Sequence, residues 1–242
     1  YEDIAAALFQ IGMASKISSI TIYDPDGDLT AYSIRGHENF LVGYRTVTPR
    51  PAFHFARLKA GEQITPNVWQ SSPDLKEMTL AAKLSGELPK KRQVFFDQPA
   101  TYLALLSSVP IIGIDYGSGK PEEKQFGIAM GVQNLDETFM AKMSGLTGMQ
   151  INLFGPQRLS IGEVKSYVQL ETESAQASEQ GGQLEHQKIA LNKVLVDGEA
   201  YFQGALRLTG LKGYAGAVAA LYPKQRAEEN VWQTMRMLAL VY

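Results

Sequence analysis

The stretch KQFGIAMGVQNLDETFMAKMSGLTGMQINLF, residues 124–154, has the residue pattern of a strand, a helix and a second strand. Asn134 is a suitable N-cap for the helix, and Glu137 follows three residues later. The apolar residues of the helix recur on one side: Leu135, Phe139, Met143 and Leu146. The stretch therefore predicts a strand that leads through a helix into the first strand of another sheet.

The sequence on either side of this stretch repeats itself. ITIYDPDGDLTAYS (residues 20–33) and MQINLFGPQRLSIG (residues 149–162) share alternating apolar positions, a final aromatic residue, a turn with glycine and proline, and a leucine. A small-residue strand followed by a helix begins at residue 126 and again at residue 215. The repeated order predicts an α+β protein with two tandem modules, residues 1–134 and 135–242, each an antiparallel sheet with flanking helices.

The first module is longer than the second. Tyr23 and Gly127 lie 104 residues apart, whereas the corresponding Phe154 and Gly216 lie 62 apart, which leaves about 42 additional residues in the first module. This material falls within residues 35–90 and is rich in aromatic and cationic side chains. Long irregular additions to a compact sheet are usually functional or disordered, and the aromatic content argues against disorder. We expect this addition to be functional.

The run DPDGD brings Asp24, Asp26 and Asp28 together, which raises three alternatives: a calcium loop, a catalytic carboxylate cluster or a turn. A calcium loop of the EF-hand type needs glycine at position 6 and glutamate at position 12. Counted from Asp24, Gly27 is at position 4 and Arg35 at position 12. Proline and glycine between alternating apolar residues favour a β-hairpin instead.

The composition argues against several classes of function. The chain has no cysteine, which removes disulfides, thiolate chemistry and cysteine-bound metals. Its three histidines, His37, His54 and His186, share no metal-ligand spacing. The net charge of −2, without a basic cluster, argues against a nucleic-acid partner. We expect no metal and no cofactor.

Catalytic motifs give an enzyme no positive support, although the residues do not exclude one. GIDYGSGKP, residues 113–121, differs from a phosphate loop because five residues separate Gly113 from Gly119 and Pro121 replaces the hydroxyl residue. It predicts a hairpin turn. The sequence has no G-x-S-x-G nucleophile motif.

The order of elements resembles a double Cache domain, a tandem of PAS-like modules in the extracytoplasmic part of bacterial histidine kinases, chemoreceptors and cyclic-nucleotide signalling enzymes. The resemblance rests on ALLSSVPIIG, residues 104–113, followed after a turn by the stretch quoted first, and it covers most of the chain. It implies an N-terminal helix that leads into a membrane-distal module, then a membrane-proximal module. A GAF-like or other α+β domain is the alternative.

The resemblance also implies a function: a periplasmic sensor domain of a membrane signalling receptor that binds a small molecule in its first module. It implies no catalysis in this part, a homodimer formed through the N-terminal helix, and a membrane tether. The helical pattern of Ile4, Leu8 and Ile11, and the apolar helix near residue 240, agree with a domain placed between two membrane helices. The alternative is a secreted enzyme or a free-standing small-molecule-binding protein of α+β fold.

The additional segment supplies the predicted binding site. Its core, YRTVTPRPAFHFAR at residues 44–57, interleaves arginines with aromatic residues. Pockets combine apolar walls with a few polar groups, and guanidinium suits a carboxylate. We expect the ligand between residues 44–72 and the strands near residues 94–116. The candidate residues are Tyr44, Arg45, Arg50, Phe53, His54, Arg57, Trp69, Phe96, Tyr102 and Asp115.

Amino-acid-sensing members of the family carry a compact set of aromatic, arginine, tryptophan and aspartate residues. Arg57 and Trp69 are present here, but not in that arrangement. The sequence therefore assigns no amino-acid specificity.

Overall fold

The computed structural model describes residues 1–15, 17–47, 52–72, 81–98, 103–117, 119–156, 159–168, 170, 190–211 and 213–241. The helices are α1 (Glu2–Ser15), α2 (Glu137–Thr147) and α3 (Lys224–Val241), with a short 3-10 helix at Pro66–Val68. The strands before α2 are β1 (Ser19–Tyr23), β2 (Leu29–Arg35), β3 (Phe40–Thr46), β4 (Ala52–Leu58), β5 (Gln70–Ser72), β6 (Gln93–Asp97), β7 (Ala104–Asp115) and β8 (Glu122–Asn134). The later strands are β9 (Gln150–Phe154), β10 (Leu159–Gly162), β11 (Ala190–Val196), β12 (Glu199–Gly210) and β13 (Gly213–Pro223).

The chain forms two compact units. The first consists of Tyr1–Phe95 and Leu105–Asn134, and the second of Phe96–Ala104 and Leu135–Tyr242. One sheet has eight strands in the order β5-β4-β3-β2-β1-β8-β7-β6, and the other has five in the order β10-β9-β13-β12-β11. The predicted α+β class with two antiparallel sheets is confirmed.

Both sheets contain the same five-strand arrangement. In the second sheet the strands lie in the order second, first, fifth, fourth, third, and β2-β1-β8-β7-β6 repeats this order in the first sheet. β3, β4 and β5 extend the first sheet beyond β2. The expectation of a long irregular addition is therefore wrong in part. The sequences FLVGYRT of β3 and AFHFARL of β4 pair antiparallel as regular strands. Their side chains alternate between the two faces of the sheet.

The predicted hairpin between β1 and β2 is confirmed. The two strands pair antiparallel, and Gly27 supplies the positive φ of +79° that the turn requires. The Oδ1 atom of Asp24 accepts hydrogen bonds from the backbone N–H groups of Asp26 (3.0 Å) and Asp28 (2.9 Å). Asp24 therefore organises the turn and fixes the position of Asp28.

Helix α1 covers one face of the first sheet, called here the helix face. Ala5, Leu8 and Phe9 of the helix are buried against it, and the ring of Phe9 meets that of Phe40 edge-on at 5.3 Å. Ile4 and Ile11, which the sequence pattern placed beside Leu8, are instead exposed. The buried stripe runs one position further round the helix, through Ala5 and Phe9.

The start of α2 differs from the predicted one. Strand β8 continues to Asn134, so this residue cannot be the N-cap. The cap is Asp136, whose Oδ1 accepts from the backbone N–H of Phe139 at 3.0 Å. The helix is capped at its C-terminal end by Gly148, a left-handed residue with φ of +65°.

Candidate functional site

The other face of the first sheet, called here the far face, carries the buried residues Tyr23, Leu29, Tyr32 and Ile128. The strand registers set which side chains lie here, because neighbours along a strand point to opposite faces. Arg45 lies on the far face with Phe53, its register partner on β4. The segment of residues 81–90 lies against this face through Leu84 and Leu88.

Two cations share one carboxylate on the far face. Asp28 Oδ2 lies 3.1 Å from Arg45 Nη1, and Asp28 Oδ1 lies 3.5 Å from Lys83 Nζ. The hydrogen bond from Arg45 is the main cause that lowers the pKa of Asp28 below its ordinary value. Asp28 is therefore ionised at neutral pH, and the three side chains together keep a surplus of positive charge.

Tyr32 carries an unsatisfied polar group on the same face. It is fully buried, and its hydroxyl has no hydrogen-bond partner among the residues that the structure describes. Burial raises the pKa of Tyr32 well above its ordinary value, so the hydroxyl remains a neutral donor. An unpaired buried polar group costs about 1–3 kcal/mol.

Gly43 makes room for the Tyr32 hydroxyl. The two residues are register partners, and a Cβ atom at position 43 would overlap both the hydroxyl of Tyr32 and the carbonyl oxygen of His54. Arg45 follows two residues later on the same face of β3, about 7 Å along the strand. The Tyr32 hydroxyl and the cation cluster therefore lie on the same face, beside residues of β3 that are two positions apart.

Apolar side chains surround these polar groups. Phe53, Phe55 and Met130 of the sheet pack with the buried cluster of the far face, as do Leu84 and Leu88. The guanidinium carbon of Arg45 lies 6.0 Å from the centre of the Phe53 ring. A few polar groups among aromatic and aliphatic side chains are typical of a small-molecule site.

Three of the predicted site residues form a cluster on the helix face. The ring of Tyr44 stacks on that of His54 at 4.8 Å and meets that of Trp69 edge-on at 5.0 Å. Both ring nitrogens of His54 have hydroxyl partners, Thr46 at 3.1 Å and Ser71 at 2.9 Å. This cluster is held together by contacts within the protein.

The same cluster joins the added strands to the N-terminal helix. Trp69 Nε1 donates a hydrogen bond of 2.8 Å to Glu2 Oε1 in the first turn of α1. Burial, followed by the charge of Glu2, raises the pKa of Tyr44. Tyr44 and Arg45 are consecutive residues of β3, so this strand connects the far face to the contact with α1.

The remaining arginine candidates and Tyr102 are placed as follows. Arg57 is exposed and lies on the far face by its register with Leu41. Arg50 and Tyr102 lie outside the residues that the structure describes. A ligand-binding role for these residues stays a prediction.

The last two candidates are not among the residues described in the far-face cluster. Asp115 forms an exposed ion pair of 2.8 Å with Lys124, and hydrogen bonding by Lys124 is the main cause that lowers the pKa of Asp115. Phe96 belongs to the second unit, where it packs against the cluster of Leu103 and Leu153. Their roles in binding also stay predictions.

The predicted juxtaposition of residues 44–72 with residues 94–116 is wrong. β2, β1 and β8 lie between β3 on one side and β7 on the other. The added segment joins the opposite end of the sheet from β6 and β7, because it pairs with the free edge of β2.

Sequence reasoning missed Tyr32 and Lys83 and assigned Asp28 only to the turn. A tyrosine in a strand pattern carries no sign that its hydroxyl will be buried without a partner. Asp28 and Arg45 are 17 residues apart in the sequence, and only the pairing of β2 with β3 brings them together.

The chain matches no family model and no curated protein. Among solved structures it is similar to the ligand-binding domain of the Pseudomonas fluorescens chemoreceptor CtaA in complex with L-serine, with 15% identity, 93% of this chain and 80% of that chain covered, and a TM-score of 0.40. It is also similar to the ligand-binding domain of the Pseudomonas aeruginosa PAO1 chemoreceptor PctC in complex with GABA, with 17% identity, 91% of this chain and 80% of that chain covered, and a TM-score of 0.35. A third similar structure is the extracellular domain of the putative histidine kinase soHK1S-Z6, with 15% identity, 95% of this chain and 79% of that chain covered, and a TM-score of 0.39.

Within the described ranges, no helix is long and apolar enough to span a membrane. No group of three or more histidine, aspartate or glutamate side chains among these residues is placed to hold a metal ion.

Proposed function

We propose that this chain is the ligand-sensing part of a membrane signal-transduction receptor, located outside the cytoplasm, and that its first unit binds a small carboxylate. The observation that carries the binding proposal is the far-face cluster: Arg45 and Lys83 share Asp28 beside the Tyr32 hydroxyl, which lacks a partner among the described residues. The strand order repeated in both sheets supports the receptor assignment, because two PAS-like modules in tandem are what the sequence resemblance implies.

The chemistry of the cluster selects the ligand class. Two cations around one carboxylate leave a positive charge that a second carboxylate, supplied by the ligand, neutralises. Guanidinium has five N–H donors and can contact two carboxylates at once. The Tyr32 hydroxyl donates to a ligand oxygen and thereby recovers the hydrogen bond that the buried group lacks.

Signalling proceeds by a change of population and not by a reaction. A ligand carboxylate that contacts Arg45 beside Asp28 changes the contacts of this side chain and so favours one arrangement of β3. The neighbouring residue on that strand, Tyr44, packs on Trp69, which is hydrogen-bonded to Glu2 of α1. The effect of ligand binding on the far face is thereby transmitted through the sheet to the N-terminal helix.

A thermal-shift screen tests the binding proposal. The panel contains acetate, lactate, succinate, tartrate and citrate, each paired with its neutral amide or alcohol analogue. At least one carboxylate should raise the melting temperature while its neutral analogue does not, since a ligand that binds only the folded state stabilises it. A flat response to every carboxylate, or equal responses to the paired neutral compounds, contradicts the proposal. The complete gene tests the receptor assignment, because it should also encode a cytoplasmic kinase, cyclase or chemotaxis domain.

A further inference from the structure

The second unit has its own buried polar group without a partner. Gln203, on β12, is fully buried, and its Nε2 atom has no hydrogen-bond acceptor among the described residues. Its Oε1 atom accepts a hydrogen bond from the hydroxyl of Tyr167, a residue that is itself buried. The amide is therefore fixed in orientation at one end and presents two N–H donors at the other.

Asn152 on the same face shows the contrast. Its Nδ2 atom donates to the carbonyl oxygens of Val164 (2.8 Å) and Tyr167 (3.3 Å). Its Oδ1 atom accepts from the N–H of Val164 at 3.1 Å. This side chain uses its hydrogen-bonding groups to clamp residues 164–167 onto the sheet. Gln203 is equally buried, but among the described residues only its oxygen has a hydrogen-bond partner. The sheet therefore carries a buried N–H donor group at a point where the described chain supplies no acceptor.

Three alanines on the same face, called here the alanine floor, lie near Gln203, whose own register partner on β13 is the buried Leu221. Ala205 and Ala219 are register partners, and Ala217 precedes Ala219 by two residues on β13. The position in the first sheet that corresponds to Ala219 holds a larger residue, Met130. Met130 pairs with Thr21 of β1 in the same way that Ala219 pairs with Asn152 of β9. The second sheet thus has a methyl group where the first sheet has the long side chain of Met130, at a position diagonal to Gln203.

We propose that this face of the second unit binds a small neutral molecule with a carbonyl or other acceptor oxygen, which accepts from Gln203 Nε2 and lies over the alanine floor. The ligand is neutral because the buried polar residues described on this face, Asn152 and Gln203, carry no charge, and an unpaired buried charge is costly. This site differs in position and ligand chemistry from the carboxylate site of the first unit and does not depend on it.

The experiment records side-chain amide resonances of the ¹⁵N-labelled chain by NMR. The pair of resonances missing from the Gln203→Leu variant belongs to Gln203, and the Asn152 pair is assigned in the same way from Asn152→Leu. The wild-type protein is titrated with acetamide, 2-pyrrolidone and δ-valerolactam. We expect a saturable shift of the Gln203 resonances for at least one compound, with the Asn152 resonances unmoved.

A second variant, Ala219→Met, places at this position the residue type that the first sheet has at the corresponding Met130. It keeps Gln203 and its observable resonance but fills the space beside the amide, so binding should be at least about tenfold weaker. Circular dichroism confirms that the variant is folded. Gln203 resonances that no compound moves would show that trapped water or the chain itself supplies the acceptor, and would overturn the proposal. So would equal shifts at Asn152, or unchanged affinity in Ala219→Met.

Discussion

Gly127 in the first sheet and Gly216 in the second occupy the same structural position. Their φ values are +152° and +155°, and a Cβ atom at either would overlap the carbonyl oxygen of the residue that ends the first strand of its sheet, Tyr23 or Phe154. In each sheet the last strand therefore approaches the first more closely than a side chain permits. The repeat seen in the sequence is thus also a repeat of backbone geometry.

Substitution of Gly127 by alanine should destabilise the first unit by more than about 2 kcal/mol, because the new Cβ meets a backbone oxygen that cannot move aside. Gly131, on the same strand, is the matched control, since a Cβ there meets nothing within 4 Å. Gly131→Ala should change the free energy of unfolding by less than about 0.5 kcal/mol. Urea unfolding of both variants makes the comparison. Equal losses would show that the close approach at Gly127 is unimportant.

The three aspartates of the DPDGD turn should differ in their effects. Asp24→Ala removes an oxygen that accepts from two backbone N–H groups, and should cost about 1–2 kcal/mol. Asp26→Ala should cost less than about 1 kcal/mol, as expected at a surface turn. Calcium should leave the melting temperature of the wild type unchanged. A calcium-dependent rise that Asp26→Ala abolishes would contradict the interpretation of this run as a turn.

The pairing of Asp28 with Arg45 should give a defined pH dependence. The pKa of Asp28 is lowered in the folded state, so the stability from its charge is present above its ordinary pKa of 3.8 and is lost as pH falls through the lower folded value. The difference in unfolding free energy between wild type and Asp28→Asn should be constant near neutral pH and shrink in acid. Urea unfolding between pH 2.5 and 7 measures it. A difference that does not change with pH would mean that the ion pair is absent in solution.

The link between Trp69 and Glu2 should contribute to the attachment of α1. Trp69→Phe removes the indole N–H that donates to the Glu2 carboxylate, and should lower stability by about 1.5–3 kcal/mol, which includes the smaller ring. Glu2→Gln keeps an acceptor oxygen and should lose about 1 kcal/mol or less. Amide hydrogen exchange in residues 3–9 should accelerate more in the first variant. Equal exchange in both would contradict this role.

The sequence was sufficient for the architecture but not for the details of its addition. Alternation of apolar residues and the DPDGD turn predicted the first hairpin, and the echo at residues 149–162 predicted the second module. The three strands of the addition were missed because "YRTVTPRPAFHFAR" mixes prolines and charges with alternating aromatics, a pattern that also suits an irregular segment.

The candidate site was predicted in part. Arg45 and Phe53 lie on the far face with the ion cluster, whereas Tyr44, His54 and Trp69 lie on the helix face. Strand alternation alone separates Tyr44 from Arg45 once both are placed in a strand. The partners Asp28 and Lys83 depend on pairing across 17 and 55 residues of sequence, which local patterns do not encode.

Calorimetric titration of two charge variants tests the carboxylate site most directly. Arg45→Ala and Asp28→Asn both remove the same ion pair, but the first removes the cation that should bind the ligand and the second leaves it unneutralised. With the carboxylate that most stabilises the wild type, Arg45→Ala should bind about 2–5 kcal/mol more weakly, roughly 30- to 5,000-fold. Asp28→Asn should bind at least as tightly as the wild type. Equal weakening in both variants, or wild-type affinity in Arg45→Ala, would contradict the binding site proposed for the first unit.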